Sequence, residues 1–395
     1  MMPKFMIVAC KELREAVRDR RAMSMILVFV VLYPALLWFV IHKIIDRSTR
    51  ADREGIEIVA LGGHQVPGLL TQLEQKNVIV SKAGPMNQAQ ITELLKGRKY
   101  TAVLRVPEGF SATYQDMRPA LIELWSDSSD DQQRDKMRRL LSQLRSYNNN
   151  IASARLLAHG VSPAALSPIQ LQEYDTANSA SRSAGLVGAM LGMFFAATFF
   201  FGMNTAMDTT AGERERRSLE VLLAQPARTL DFLAGKWLAT ACLAIVGLTL
   251  ELLAAHMILK WMPLEEIGMS WRMGLDTMLS ICLVSVPLCL FAAAFEIALA
   301  MNARTFKEAQ AMMGLAMLVP ILPVVIVPSL NLNSALWMYL VPVLSNQTLL
   351  LELAKGVELG PLPYLLTAGS SLLLALAAVA FASWRMKSEK YVLGV

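Results

Sequence analysis

Six runs of about 20 mostly apolar residues dominate the sequence, at roughly 23–41, 184–207, 237–259, 274–300, 309–329 and 364–384. Each is long enough to cross a bilayer as a helix, which rises about 1.5 Å per residue through about 30 Å of hydrocarbon. A backbone in hydrocarbon must satisfy its own hydrogen bonds, so such runs leave little alternative to spanning helices. Composition agrees: 54% of the 395 residues are apolar, 17% are charged, and the mean hydropathy is +0.42. A soluble domain carries about 25% charge, so this chain cannot bury its apolar side chains in one water-soluble core. The expected fold class is an α-helical integral membrane protein with six transmembrane helices. Pro287, Pro320 and Pro323 are expected to kink the fourth and fifth spans. The first run contains Pro34 and exits into His42–Lys43 without a small-residue cleavage site, so it is expected to stay as a span.

The charges are unevenly spread. Of the 69 Lys, Arg, Asp and Glu residues, 33 lie within residues 42–183. That density predicts an ordinary water-soluble domain inserted between the first and second spans. Lys and Arg in the short connections set the orientation. Residues 1–22, 208–236, 301–308 and the tail after Trp384 carry 16, against three in 260–273 and 330–363. Both termini are therefore expected in the cytoplasm and residues 42–183 outside it. The basic residues of that long block do not count, because long translocated domains escape the rule.

Within the inserted block, Ile56–Leu61, Val78–Lys82, Thr101–Val106 and Leu121–Trp125 are rich in β-branched or apolar residues and predict strands. Helical patterns lie between them, at Gly68–Gln75 and Met86–Leu95, so an α/β sheet is expected. Asp130–Ala158 predicts one long amphipathic helix, with Met137, Leu140, Leu141, Leu144 and Ile151 on its apolar stripe. No nucleophile elbow and no metal-ligand spacing occurs there. The four cysteines (Cys10, Cys242, Cys282 and Cys289) fall outside the block and form no disulfide framework.

The most informative stretch is Asp208–Lys236, DTTAGERERRSLEVLLAQPARTLDFLAGK. Asp208, Thr209 and Thr210 are good N-cap types, and Glu213 and Glu215 suit a first helical turn. Leu219, Leu222 and Leu223 form one apolar face, Glu213, Arg214, Arg216, Arg217 and Glu220 supply charge, and Pro226 ends the helix. A charged amphipathic helix held between two spans has two uses. It lies in the lipid interface, or it presses on a soluble partner.

The run Glu213-Arg214-Glu215-Arg216, then Leu219-Glu220, Leu222-Leu223, Pro226 and Gly235-Lys236, resembles the coupling-helix signature of type-2 ABC transporter permeases. The basic amphipathic start, from Lys11-Glu12 to Arg20-Arg21, is similar to that family's interfacial helix. The large insertion, with Tyr100–Phe110 and Trp125–Ser129, resembles the NatB-like branch, and Asn331–Pro361 resembles its short-helix region before the last span. The resemblance covers essentially the whole chain. It implies an interfacial helix at 1–22, a first span at 23–41, an extracytoplasmic α/β domain at 42–183, and a five-span domain at 184–395 with a coupling helix near 210–225. It further implies a permease subunit of an exporter in a prokaryotic cell (inner) membrane, not itself an enzyme. Its partners would be a second permease copy or sibling permease and a separate ATPase subunit, with no nucleic acid. No phosphate-binding G-x-x-x-x-G-K-[ST] occurs in the sequence, so ATP and magnesium would be bound by that ATPase and no cofactor is expected in this chain. The ATPase-coupling residues implied are Glu213, Arg214, Glu215, Arg216, Leu219, Glu220, Leu222 and Leu223. The cargo is left among sodium, drugs and other small or hydrophobic compounds. The alternative reading is a non-transport membrane receptor or scaffold whose outer domain binds another protein.

Two carboxylates sit inside apolar runs, Glu251 in the third span and Glu296 in the fourth. Intramembrane ionisable groups are costly and are functional candidates by default, so both are possible pathway residues. From their positions in the runs they lie about 15 Å apart along the membrane normal, too far to share one cation. Glu296 is expected to pair near the inner boundary with Arg304 or Lys307. Phe194, Phe195, Phe199, Phe200 and Phe201 are expected to serve helix packing or lipid contact rather than substrate.

Overall fold

The computed structural model describes residues 2–53, 55–97, 99–127, 131–166, 179–223, 225–330 and 334–386. The chain divides into two compact units, one formed by Met1–Ile45 with Thr176–Val395 and the other by Asp46–Asp175. It opens with α1 (Lys4–Arg18), whose polar positions are broken by an apolar face, and which ends where Asp19 takes an extended backbone. Helix α2 (Arg20–Arg53) follows and runs straight through Pro34.

The unit Asp46–Asp175 is a sheet with helices on both faces. Its elements are β1 (Ile56–Leu61), α3 (Pro67–Gln75), β2 (Val78–Ala83), α4 (Gln88–Lys96), β3 (Ala102–Arg105), α5 (Phe110–Gln115), β4 (Glu123–Ser126) and α6 (Asp131–Ala158). The sheet order is β2-β1-β3-β4, with β1 parallel to both neighbours and β4 antiparallel to β3. The period-two alternation of a strand sends successive side chains to opposite faces. Ile56, Ile58 and Ala60 accordingly meet Leu69, Leu70 and Leu73 of α3 and Leu140 of α6. Val59, Leu61 and Val103 meet Ile91 and Leu95 of α4 on the other side. Asn87 and Gln90 form a reciprocal capping box that starts α4. The expected strands appear within one or two residues of their predicted bounds; α5 was not anticipated, and Asp130 lies outside the described residues.

The other unit continues with α7 (Ser179–Phe201), α8 (Met203–Met207), a wide π turn at Asp208–Gly212, α9 (Glu213–Glu215), α10 (Ser218–Leu223) and α11 (Thr229–Trp261). Then come α12 (Leu275–Val284), α13 (Val286–Ala300), α14 (Phe306–Ala316), α15 (Leu318–Ser329), α16 (Leu344–Ala354) and α17 (Pro361–Met386). Among the described residues, six helices are long and apolar enough to cross a membrane: Ala22–Arg47, Met190–Glu215, Thr229–Trp261, Leu275–Ala300, Phe306–Val327 and Pro361–Met386. The fourth breaks at Ser285 and the fifth at Met317, two and three residues ahead of Pro287 and Pro320. That offset is expected, because proline disfavours helical backbone in the residue before it and removes a donor from the turn.

The five phenylalanines near the end of α7 pack inside this unit. Phe200 stacks on Phe29 with centroids 4.8 Å apart, and Phe199 meets Phe291 and Phe295 edge-on. Phe201 lies across Gly247 of α11, where an added Cβ would stand 2.5 Å from the ring. Small residues at such crossings let helices approach closely when no hydrophobic effect drives them together in lipid.

Leu104 is fully buried in the sheet core. Leu104→Ala is expected to destabilise the Asp46–Asp175 unit by about 2–5 kcal/mol through lost packing and a cavity. In the full-length chain this is read as faster tryptic cleavage within residues 46–175, with the membrane-inserted fraction unchanged.

Candidate functional site

The connection between α7 and α11 does not form the single helix that its pattern predicts. Asp208, Thr209 and Thr210 do not cap a new helix. They lie inside the continuing one, because the Thr209 hydroxyl donates to the Thr205 carbonyl at 2.8 Å and the Thr210 hydroxyl to the Ala206 carbonyl at 2.6 Å. Such back-bonds widen a helix, and here the turn is π-type. The chain then breaks at Arg216–Arg217, with Arg217 in the left-handed region at φ +57°, and restarts as α10. A non-glycine residue there costs about 1–2 kcal/mol, so the bend has to be held from outside.

What holds it is an ion-paired joint. Lys236, with 0% exposure, donates to Glu213 at 2.6 Å and lies 3.4 Å from Glu12. Glu12 is 2% exposed, and Lys11 reaches it from the rim at 3.2 Å. Three elements meet at this point: α1 brings Glu12, α9 brings Glu213 and α11 brings Lys236. Gly235 makes the approach possible, since an added Cβ would lie 2.5 Å from Val8 Cβ and 2.8 Å from the Phe5 carbonyl oxygen. Lys4 donates to the Pro226 carbonyl and ties α1 to the far side of the bend.

The other residues expected to couple divide by what they touch. Arg214 donates to the Ala303 carbonyl at 3.1 Å, and Glu215 accepts from the Phe306 amide at 2.7 Å. Both therefore grip the turn between α13 and α14. Arg216 pairs with Asp208 at 2.9 Å across the buried π turn, both side chains being exposed. Leu222 is half-buried, while Val221 on the same short helix is 66% exposed. The side chains of Leu219, Glu220 and Leu223 lie outside the described ones. Glu12 and Lys236 were not singled out as charge partners in the sequence. Their signal was a carboxylate amid the bases of an amphipathic helix, and a lysine lying at the start of a long apolar run.

Glu251 and Glu296 are not brought together. An added Cβ on Gly202 would lie within 2.8 Å of both a Glu296 oxygen and the Thr240 methyl, so Glu296 sits at the level of Thr240. Glu251 is eleven residues further along α11, about 16 Å at about 1.5 Å per residue. The expected pairing of Glu296 with Arg304 or Lys307 does not occur. Both of its carboxyl oxygens are buried without a hydrogen-bond partner among the described residues, as are both of Glu251's. The reason lies in the chain path, since the helix runs on past Glu296 and the turn beyond it is held by Arg214, Glu215 and the Glu308 side chain.

Six helices of spanning length make this a multi-pass membrane protein. It matches the ABC-2 family transporter protein family over residues 20–384 and belongs to that family. It is also 27% identical over 391 residues to the ABC transporter permease protein NatB of Bacillus subtilis (strain 168), across 97% of this chain and 98% of that protein.

The joint makes an asymmetric prediction. Removing one partner of a buried ion pair costs about 3–5 kcal/mol, whereas replacing the pair with apolar groups is nearly neutral. Lys236→Met is expected to lower the thermal stability of the full chain in detergent. The triple change Glu12→Met, Glu213→Met, Lys236→Met is expected to recover most of that loss. A triple variant less stable than Lys236→Met would show that the charges are not coupled.

Proposed function

We propose that this chain is the membrane-spanning permease subunit of an ATP-binding cassette exporter. It forms the translocation pathway with a second permease copy or sibling permease, and is driven by a separate ATPase subunit that binds ATP and magnesium. The observation that carries this reading is the form of the 208–236 segment. Its base is pinned to α1 and α11 by the Glu12–Lys236–Glu213 joint, while Arg216, Arg217 and Val221 stand exposed beyond it. A mere interfacial linker needs no buried ion pair at its root. A lever does, because a push on its tip is useful only if the base transmits it to the spans.

The sixteen-to-three distribution of Lys and Arg supports cytoplasmic termini and an extracytoplasmic 42–183 domain in the cell (inner) membrane. The roles within the coupling signature become distinct: Glu213 belongs to the base, Arg214 and Glu215 to the brace on the 303–306 turn, and the α10 surface to the ATPase. Glu251, buried in mid-span with both oxygens unpartnered among the described residues, suits a pathway residue better than Glu296, which lies at the helix break beside Gly202. A permease of this kind moves sodium, a drug or another small or hydrophobic compound.

The test is to purify the tagged chain from its native membrane in mild detergent and identify what accompanies it. A stoichiometric ATPase with a phosphate-binding loop is expected. Arg217→Glu and Val221→Asp are expected to lower its recovery about tenfold or more while the chain remains in the membrane, a loss of about 1.4 kcal/mol or more. Absence of any such ATPase in several detergents would overturn the reading.

A further inference from the structure

The start of α16 places four polar side chains, Ser345, Asn346, Gln347 and Thr348, in the interior of the membrane unit, all of them buried. Two of them reach to neighbouring helices near prolines, Asn346 at the break ahead of Pro287 and Gln347 at a carbonyl within α15. Asn346 donates to the Ser285 hydroxyl at 2.9 Å, and that hydroxyl in turn donates to the Ile281 carbonyl at 2.7 Å. Ser285 is the break between α12 and α13, next to the turn that Pro287 interrupts. Gln347 donates to the Val324 carbonyl at 3.5 Å. In an uninterrupted helix that carbonyl would accept from the amide of residue 328, but residue 328 is proline and has none. The Gln347 amide takes the place of the missing N–H.

The same turn is seated on α7. An added Cβ at Gly192 would overlap the Gln347 side chain, and one at Gly188 would lie 2.9 Å from Leu351. These glycines are spaced four apart, the arrangement that lets membrane helices pack backbone to backbone. One short turn thus joins α7, α12–α13 and α15.

Two features show that this junction is held under tension rather than fully satisfied. Val343, which leads into α16, has φ +71° and ψ −57°, a γ-turn conformation that is strained for any β-branched residue. The Gln347 Oε1 atom is buried with no hydrogen-bond partner among the described residues. Unpaired buried acceptors and positive φ at a buried valine both raise the energy of the joined state relative to a separated one.

We infer that the first turn of α16 is a releasable latch, in which Asn346 and Gln347 are positioning residues that clasp the broken fourth and fifth spans against α7. Release frees the fourth span at Ser285 and the fifth at Val324 from the first turn of α16. The latch rests on packing within the membrane unit and does not require the transporter reading.

Cys289, one turn beyond Ser285 on α13, is buried and reports on the clasp. The experiment uses the full chain in membranes with Cys10, Cys242 and Cys282 replaced by serine, and follows the rate at which a water-soluble maleimide labels Cys289. Asn346→Ala and Gln347→Leu are each expected to raise that rate roughly tenfold, the effect of losing one buried hydrogen bond. Pro328→Ala restores the amide that Val324 lacks and so competes with Gln347 for that carbonyl, and in the otherwise unchanged chain it is expected to raise the rate as well. Unchanged labelling in the single variants would overturn the latch. So would a Pro328→Ala chain that labels no faster than the starting one, since a change that only strengthens α15 raises labelling through loss of the clasp and not through general loosening. If either single variant fails to reach the membrane folded, Gly192→Ala decides alone. It displaces the Gln347 amide without removing a polar atom, and faster labelling supports the latch while an unchanged rate refutes it.

Discussion

Every backbone carbonyl in hydrocarbon needs a donor, and this chain repeatedly removes donors with proline. At Pro328 the freed Val324 carbonyl lies beside a side chain that meets the deficit, the Gln347 amide, and beside Pro287 the Ser285 hydroxyl gives the Ile281 carbonyl a second donor. At the other end of the membrane unit the opposite device operates. Thr209 and Thr210 supply extra donors to carbonyls already in a helix, and the helix widens into a π turn before bending. The Val324 contact and the bend thus both turn on how many donors the backbone carbonyls are offered away from water.

Charge follows a related rule. A buried lysine is tolerated where two carboxylates and a rim lysine surround it, as at Lys236. Such a cluster need not add stability over an apolar one, and its value lies in specifying geometry: only one arrangement of α1, α9 and α11 brings all its members within reach. Gly235 serves the same end by permitting α1 to lie directly against α11. Glu251 and Glu296 follow no such rule, since neither has a partner among the described residues. An intramembrane carboxyl without a partner is costly to keep for structure alone, which makes both functional candidates, and mid-span burial is what favours Glu251 in the proposed pathway.

The spans and the sheet could be read from the sequence because each depends on a local period. Apolar runs of span length and strand alternation at Ile56–Leu61 survive any tertiary context. The bend at Arg216–Arg217 could not be read in this way. Glu213 to Leu223 has a good helical pattern, and what breaks it is the pull of Lys236, Ala303 and Phe306, residues 23 to 91 positions away. For the same reason Glu213 looked like a surface charge and is in fact a buried one. The clasp of Asn346 and Gln347 was equally hidden, since a carbonyl freed by Pro328 is visible in the sequence but its rescuer is not.

Helix α7 and its continuation carry both the clasp and the bend. Gly192 and Glu213 are 21 residues apart, about 30 Å along a helix. A straight helix would transmit a push at Glu213 directly as a translation of Gly192. This one is interrupted at Gly202 and again over Asp208–Gly212. Gly202 is also the point at which Thr240 of α11 and Glu296 of α13 press closest, and any side chain larger than hydrogen would collide with both. A helix pinched between two neighbours at its weakest point pivots there more readily than it slides. A push at the bend would then reach Gly192 and the Gln347 seated on it as a tilt of α7 rather than as a translation.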